Sequence, residues 1–176
     1  HLSYLIKLFG FQIVRYVDSK GCINETYCDG SSEKPFRDIL SAFSDIEINM
    51  APLGQRDIII YLRDKIIDMP SGIEPKVYFA QKDWLNLKII SDRNDTIFTE
   101  IVFAKSVEFA ILLKGGSLIF ENINFRGLTP ENYIGFSIDQ RQKSLLSKGF
   151  ISLIPFTNIN LKIINCKFSG LFLNQD

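Results

Sequence analysis

A stretch of eleven residues occurs twice, and it constrains the fold more than any other feature of the chain. Residues 118–128 align with residues 161–171 without a gap. Leu118, Asn122, Phe125, Gly127 and Leu128 recur as Leu161, Asn165, Phe168, Gly170 and Leu171. Phe120 and Ile123 recur as the apolar Ile163 and Cys166. Apolar residues at alternate positions describe strands, and Asn and Gly describe the corners between them. A strand, an Asn corner, a second strand and a Gly turn make one rung of a stacked coil, the pattern of a solenoid.

The rest of the chain is compatible with further rungs. Short apolar runs rich in β-branched and aromatic residues occupy positions 58–62, 77–80, 85–90, 97–103, 107–113, 118–125, 150–154 and 161–168. Gly, Asn, Asp, Ser and Pro separate them, as expected for strands. Tight hairpin dipeptides are nearly absent: Asp29-Gly30 precedes a helical pattern, and 114–117 is the only good turn. That disfavours a sandwich built of hairpins and favours coils of roughly 20 residues. The repeat offset then means either two plain coils or one coil with a surface insertion. Residues 139–148, polar and without strand periodicity, read as that insertion.

Before the first rung the period changes. Phe36, Ile39, Leu40 and Phe43 fall at i, i+3, i+4 and i+7, which gives a short helix one apolar face. Ser32 is placed to cap it, and Pro35 suits its first turn. Residues 1–17 read as an extended segment, either a first strand or a strand that joins a neighbour's sheet edge. Residues 18–34 form a polar, Gly-containing loop. The organisation expected is therefore 1–34 as N-terminal strand and cysteine loop, and 35–176 as helix cap and coils. Together they make one domain, read as a segment of a longer chain.

Composition excludes some functions. Twenty basic residues balance twenty acidic ones, so the basic excess of a nucleic-acid-binding protein is missing. Lys7 and Gln12 interrupt the apolar opening, which falls short of the roughly 18 residues of a membrane span. His1 is the lone histidine and no CxxC pair occurs, so neither a zinc site nor any cofactor is expected. Cys22 and Cys28 enclose residues 23–27 and are placed for a local disulfide; the alternative is three unrelated thiols. Cys166 sits in an apolar slot and reads as a buried thiol. Asn24 and Asn94 each open an Asn-x-Thr sequon, a candidate glycosylation site. A sequon between two nearby cysteines points to an extracellular or cell-surface protein.

The Gly-containing loop, Lys34-Pro35-Phe36 and the helix ending at Ala42-Phe43 resemble a known N-terminal cap. It is that of the right-handed parallel β-helices of the pectin-lyase-like superfamily. The downstream Leu-x-Ile-x-Asn-x-x-Phe-x-Gly units resemble the coils of that superfamily. The resemblance covers residues 28–176. It implies an all-β fold, a right-handed parallel β-helix with a short N-terminal capping α-helix. In it Phe36, Ile39, Leu40 and Phe43 seal the first coil. Asn122 and Asn165 match the superfamily's asparagine corner, where stacked amides bond along the axis; the alternative is a solvent-facing turn Asn. The cysteine-flanked cap and the Ile/Asn/Phe-rich coils are also similar to large surface proteins of ciliated protists.

Catalytic residues of the superfamily find no counterpart. Its lyases use an acidic Ca²⁺ cluster and a basic proton abstractor, and its hydrolases use paired Asp. Asp92 and Asp95 form the densest acidic spot and read as a solvated turn, as do Asp64 and Asp68. Trp84 with Tyr78 could stack on a sugar ring, although Trp84 filling a corner between coils explains it as well. The function expected is thus a non-enzymatic structural protein that self-assembles or binds protein partners. The alternative is a carbohydrate-active or carbohydrate-binding β-helix protein with glycan partners. An intracellular β-sandwich is a third, weaker reading.

Overall fold

The computed structural model describes residues 12–22, 27–50, 56–69, 79–81, 85–93, 98–103, 111–113, 115–127, 136–137, 151–153 and 159–169. Strand β1 (Gln12–Val17) comes first, then helix α1 (Ile39–Asp45), which runs into a π-helical turn, Ile46–Met50. Strands β2 (Arg56–Leu62), β3 (Ile66–Met69), β4 (Phe79–Gln81), β5 (Leu85–Ser91), β6 (Thr99–Phe103) and β7 (Ile111–Leu113) follow. The last six are β8 (Gly116–Glu121), β9 (Ile123–Gly127), β10 (Phe136–Ser137), β11 (Ile151–Leu153), β12 (Ile159–Ile164) and β13 (Lys167–Ser169).

These strands form three sheets, of order β1-β2-β5-β8-β12, β3-β6-β9-β13 and β4-β7-β11-β10. The chain visits the sheets in rotation: β2, β3, β4, then β5, β6, β7, then β8, β9 and both β10 and β11 in the third sheet, then β12 and β13. Every described pairing is parallel. A hairpin-built sandwich pairs its strands antiparallel, so these residues do not form one. In the first sheet 29 residues separate Asp57 from Asn86, 31 separate Asn86 from Ser117, and 43 separate Ser117 from Asn160. The repeat offset of 43 is therefore one step between adjacent strands, not two. The steps exceed the roughly 20 residues expected of a plain coil because the connections between strands are long. The expected insertion at 139–148 lies outside the described residues.

Parallel register makes each side chain meet its counterpart in the next layer. Ile13, Ile58, Leu87, Leu118 and Leu161 form one inward column. Ile60, Ile89, Phe120 and Ile163 form the next. In the second sheet Ile67, Ile101, Phe125 and Phe168 do the same. Phe125 meets Phe120 edge-on at 5.2 Å and stacks on Phe168 at 5.2 Å. Phe120 and Phe125 are fully buried, and burial of one such ring is worth about 1.5–3 kcal/mol. Strand β3 falls where the sequence suggested only turn charges: Asp68 lies within it and Asp64 in the turn before it. Four residues with Asp68 among them carry too little periodicity to be read as a strand.

The helix begins later than its periodicity suggested. Asp38 is the N-cap, and its carboxylate accepts from Ser41 N at 2.8 Å and Ser41 Oγ at 2.9 Å. Phe36 precedes the helix because its backbone is used elsewhere. Its N donates to Tyr16 O, and its O accepts from Asp18 N, each at 2.9 Å. Ser32 caps nothing; its Oγ accepts from Arg63 at 2.8 Å. The buried face of α1 is Ile39, Ala42 and Phe43, with Ile46 continuing it and Leu40 partly buried. Beside it, Arg15 Nε donates to Asp45 Oδ2 at 2.8 Å, which ties β1 to the end of the helix.

Strand β1 belongs to the same sheet as the strands beyond residue 35, and its second edge is occupied as well. Tyr16 N donates to Gly30 O at 2.8 Å, and Arg15 Nη1 donates to Val14 O at 3.1 Å. Gly30 is at φ +76°, and a Cβ there would lie 2.3 Å from Phe36 Cε2 and 2.5 Å from Arg15 Cδ. Gly30→Ala is expected to cost roughly 1–3 kcal/mol, read as a lowered midpoint in urea unfolding. An unchanged midpoint would mean that this loop does not hold the edge of β1.

Candidate functional site

The corner between the first and second sheets gathers the polar groups that the interior would otherwise leave unbonded. In the β8 and β12 layers the corner begins with one residue in the left-handed region, Asn122 at φ 59° and Asn165 at φ 49°. Asn tolerates that region better than other side chains with a Cβ. Asn165 Nδ2 donates to Asn122 Oδ1 at 2.7 Å, so the two amides bond from layer to layer.

In the β5 layer the corner is longer, and hydroxyls replace the amide. Ser91 and Thr99 are both buried. Thr99 N donates to Ser91 Oγ at 3.1 Å, and the two hydroxyl oxygens are 2.9 Å apart. Thr99 Oγ1 donates to Asp64 O at 2.9 Å, so the Ser91 hydroxyl is the donor to Thr99. Both hydroxyls are thereby spent on structure. Sequence reasoning missed this pair, although a signal existed: Ser91 is the fourth inward residue of the alternation Leu85, Leu87, Ile89, Ser91.

The outer faces carry side-chain pairs that run between layers. Asn86 Nδ2 donates to Asp57 Oδ1 at 2.7 Å. Lys88 pairs with Glu121 across β5 and β8. Glu100 accepts from Asn124 Nδ2 at 3.3 Å and faces Arg126 Nε at 3.1 Å, the latter an ion pair without hydrogen-bond alignment. Near the cap, Tyr16 stacks on Tyr61 at 5.4 Å, and the Arg63 guanidinium lies over the Tyr16 ring, 4.1 Å from its centroid. Arg63 also reaches Ser32 and pairs with Asp92 at 3.3 Å. Asp64 accepts from the N and Oγ of Ser19, each at 2.8 Å. Asp92 and Asp64 thus act as partners for neighbouring layers.

Cys22 and Cys28 form a disulfide. Arg37 clamps it to the start of the helix, with Nη2 donating to Cys22 O at 2.7 Å. Asp29, next to the bridge, has its carboxyl held below the usual carboxylate range by hydrogen bonds from Ser31. Cys166 is a free thiol. It is half-buried, because it lies in the outermost layer of the second corner. Burial pushes its pKa up. Asn24, Asn94, Asp95, Tyr78 and Trp84 lie outside the described residues. Among the described residues, no three His, Cys, Asp or Glu side chains are grouped to hold a metal ion, and no helix is long and apolar enough to cross a membrane.

Two outcomes check this geometry. Thr99→Val removes the donor to Asp64 O and strands the Ser91 hydroxyl, at a cost of about 1–3 kcal/mol in urea unfolding; Thr99→Ser should recover most of it. For Cys166, a raised folded-state pKa favours the neutral thiol. That stabilisation is complete below the unfolded pKa and fades as pH rises through the folded one. Alkylation of the folded protein should therefore rise at higher pH than alkylation of the same thiol in urea. Coincident profiles would contradict the half-buried placement.

No protein-family model matches the chain, and neither does any curated protein or solved structure.

Proposed function

We propose that this chain is a non-enzymatic scaffold: a right-handed parallel β-helix, capped at its N-terminal end, within an extracellular or cell-surface assembly. Rotation of the chain through three parallel sheets supports the helix. Parallel strands joined by crossovers in one sheet are right-handed in about 98% of cases, which supports the hand. The pectin-lyase-like resemblance of the cap and coils agrees with both.

The observation that carries the scaffold reading is how the polar side chains are used. Asp57–Asn86, Lys88–Glu121, Glu100 with Asn124 and Arg126, and Asn122–Asn165 all bond across layers. Inside, Ser91 and Thr99 bond each other within one corner, and Thr99 reaches Asp64 O in the next layer. Catalytic or ligand-reading groups are held ready for a substrate; these are held by each other. The Cys22–Cys28 disulfide supports an oxidising compartment, and the sequon at Asn24 agrees with it.

Electron microscopy of protein isolated from its native source without denaturation tests this reading. A filament or large surface assembly is expected. Isolated short rods would remove the assembly, and cleavage or binding in a glycan panel would then put the carbohydrate reading in its place.

A further inference from the structure

The outward side chains of the first sheet form columns as regular as the inward ones. One column runs through Tyr16, Tyr61, Ile90, Glu121 and Ile164. Only its first two members are aromatic, and register sets one directly beside the other. Their rings are close to parallel, 22° apart in plane, with centroids at 5.4 Å. Two like side chains that leave parallel strands at the same height and stack in this way bring like ring edges together. The carbons ortho to the two hydroxyls therefore come side by side. Arg63 steadies the arrangement: its guanidinium lies over the Tyr16 ring and is itself held by Ser32 and Asp92.

The two phenol groups are not used by the fold. A buried Tyr hydroxyl usually finds a hydrogen-bond partner. Tyr16 and Tyr61 are only half-buried, and among the described residues neither hydroxyl has a partner. Both are left to water, where an oxidant can reach them. The pair also sits where a covalent bond between layers has most to hold. β1 is the outermost strand of its sheet, and outer elements open more readily than inner ones.

We infer that Tyr16 and Tyr61 are a site of oxidative cross-linking, coupled to a dityrosine within one chain by hydrogen peroxide and a haem peroxidase. Each phenol gives up one electron and one proton, and the peroxide leaves as two waters. The two phenoxyl radicals join by a carbon–carbon bond between ring positions ortho to the oxygens. The hydrogens at those two ring positions leave as protons, and the two oxygens take up protons in their place. The inference rests on the extracellular reading above, which places the chain in an oxidising compartment. The bond closes residues 16–61 into one covalent loop. That loop contains the Cys22–Cys28 disulfide, helix α1 and the residues that hold the second edge of β1, so the cap becomes fixed to the first layers of the stack.

Peptide mapping after peroxidase treatment tests this. Tyr27, 70% exposed and without a ring neighbour among the described residues, is replaced by Phe in every sample to remove coupling between molecules through it. The dilute chain is treated with haem peroxidase and hydrogen peroxide, reduced, and digested with trypsin. A species that joins residues 16–20 to residues 57–63, lighter than their sum by two hydrogens, is expected from the monomer band. Its yield should not depend on protein concentration. Tyr16→Phe and Tyr61→Phe keep a ring in the stack, and each should abolish the species. The cross-linked monomer should unfold at a urea midpoint about 1 M higher, because the closed loop restricts the unfolded chain. No such species, one found only in dimers, one that survives either substitution, or a lowered midpoint would overturn the inference. Its absence from native material would overturn it too, while filaments or surface assemblies in that material would leave the scaffold reading standing.

Discussion

Parallel, in-register stacking is the constraint on which the rest of this chain depends. In an antiparallel hairpin the turn sets which residues face each other. Here each residue faces the one at the same height in the next layer, and the same contact recurs along the stack. An inward column therefore favours apolar residues layer after layer, as in Ile58, Leu87, Leu118 and Leu161, and the polar Ser91 beside Leu62 needs the Thr99 hydroxyl as its partner. An outward column cannot repeat one charge without self-repulsion. The chain solves this by changing residue type between layers: Asp57 meets Asn86, and Glu100 meets Asn124. Two diagonal pairs, Lys88 with Glu121 and Glu100 with Arg126, use a neighbouring column in the same way.

The corners show the same constraint at the backbone. A strand that must turn into another sheet within one or two residues needs a left-handed residue, and Asn122 and Asn165 supply it. Their amides then pair along the stack, so one residue type settles both the local turn and the contact between layers. Where residues 92–98 lengthen the corner, that economy is lost. The carbonyl groups of the β2–β3 turn in the layer beside it still need donors, and the Thr99 hydroxyl provides one to Asp64 O. Asn and the Ser–Thr pair are two answers to one demand, set by corner length.

This explains which parts were readable from the sequence. The β8–Asn122–β9 and β12–Asn165–β13 units were visible because the same spacing occurs twice, and repetition separates signal from chance. β5 was visible because Leu85, Leu87 and Ile89 alternate with the polar Asn86 and Lys88. β3 was not, because Ile66 and Ile67 sit between Asp64 and Asp68 and its pairing with β6 is remote in sequence. The helix start was misread because periodicity alone cannot distinguish a helical residue from one that merely shares its core. Phe36 is buried with Ile39 and Phe43, yet its backbone pairs with Tyr16 and Asp18. The Ser91–Thr99 bond spans eight residues and depends on where the intervening loop returns the chain, which local pattern does not encode.

A stack of this kind has interior columns that do not close on themselves, and the N-terminal segment covers them at the β1 layer. Helix α1 turns Ile39, Ala42 and Phe43 inward and leaves Asp38 and Ser44 exposed. The same segment also meets the edge of β1: Phe36 N donates to Tyr16 O, Gly30 O accepts from Tyr16 N, and Asp45 holds Arg15. One short stretch therefore seals the apolar columns with its side chains and occupies a strand edge with its backbone, and an exposed strand edge is what would otherwise template pairing with another chain.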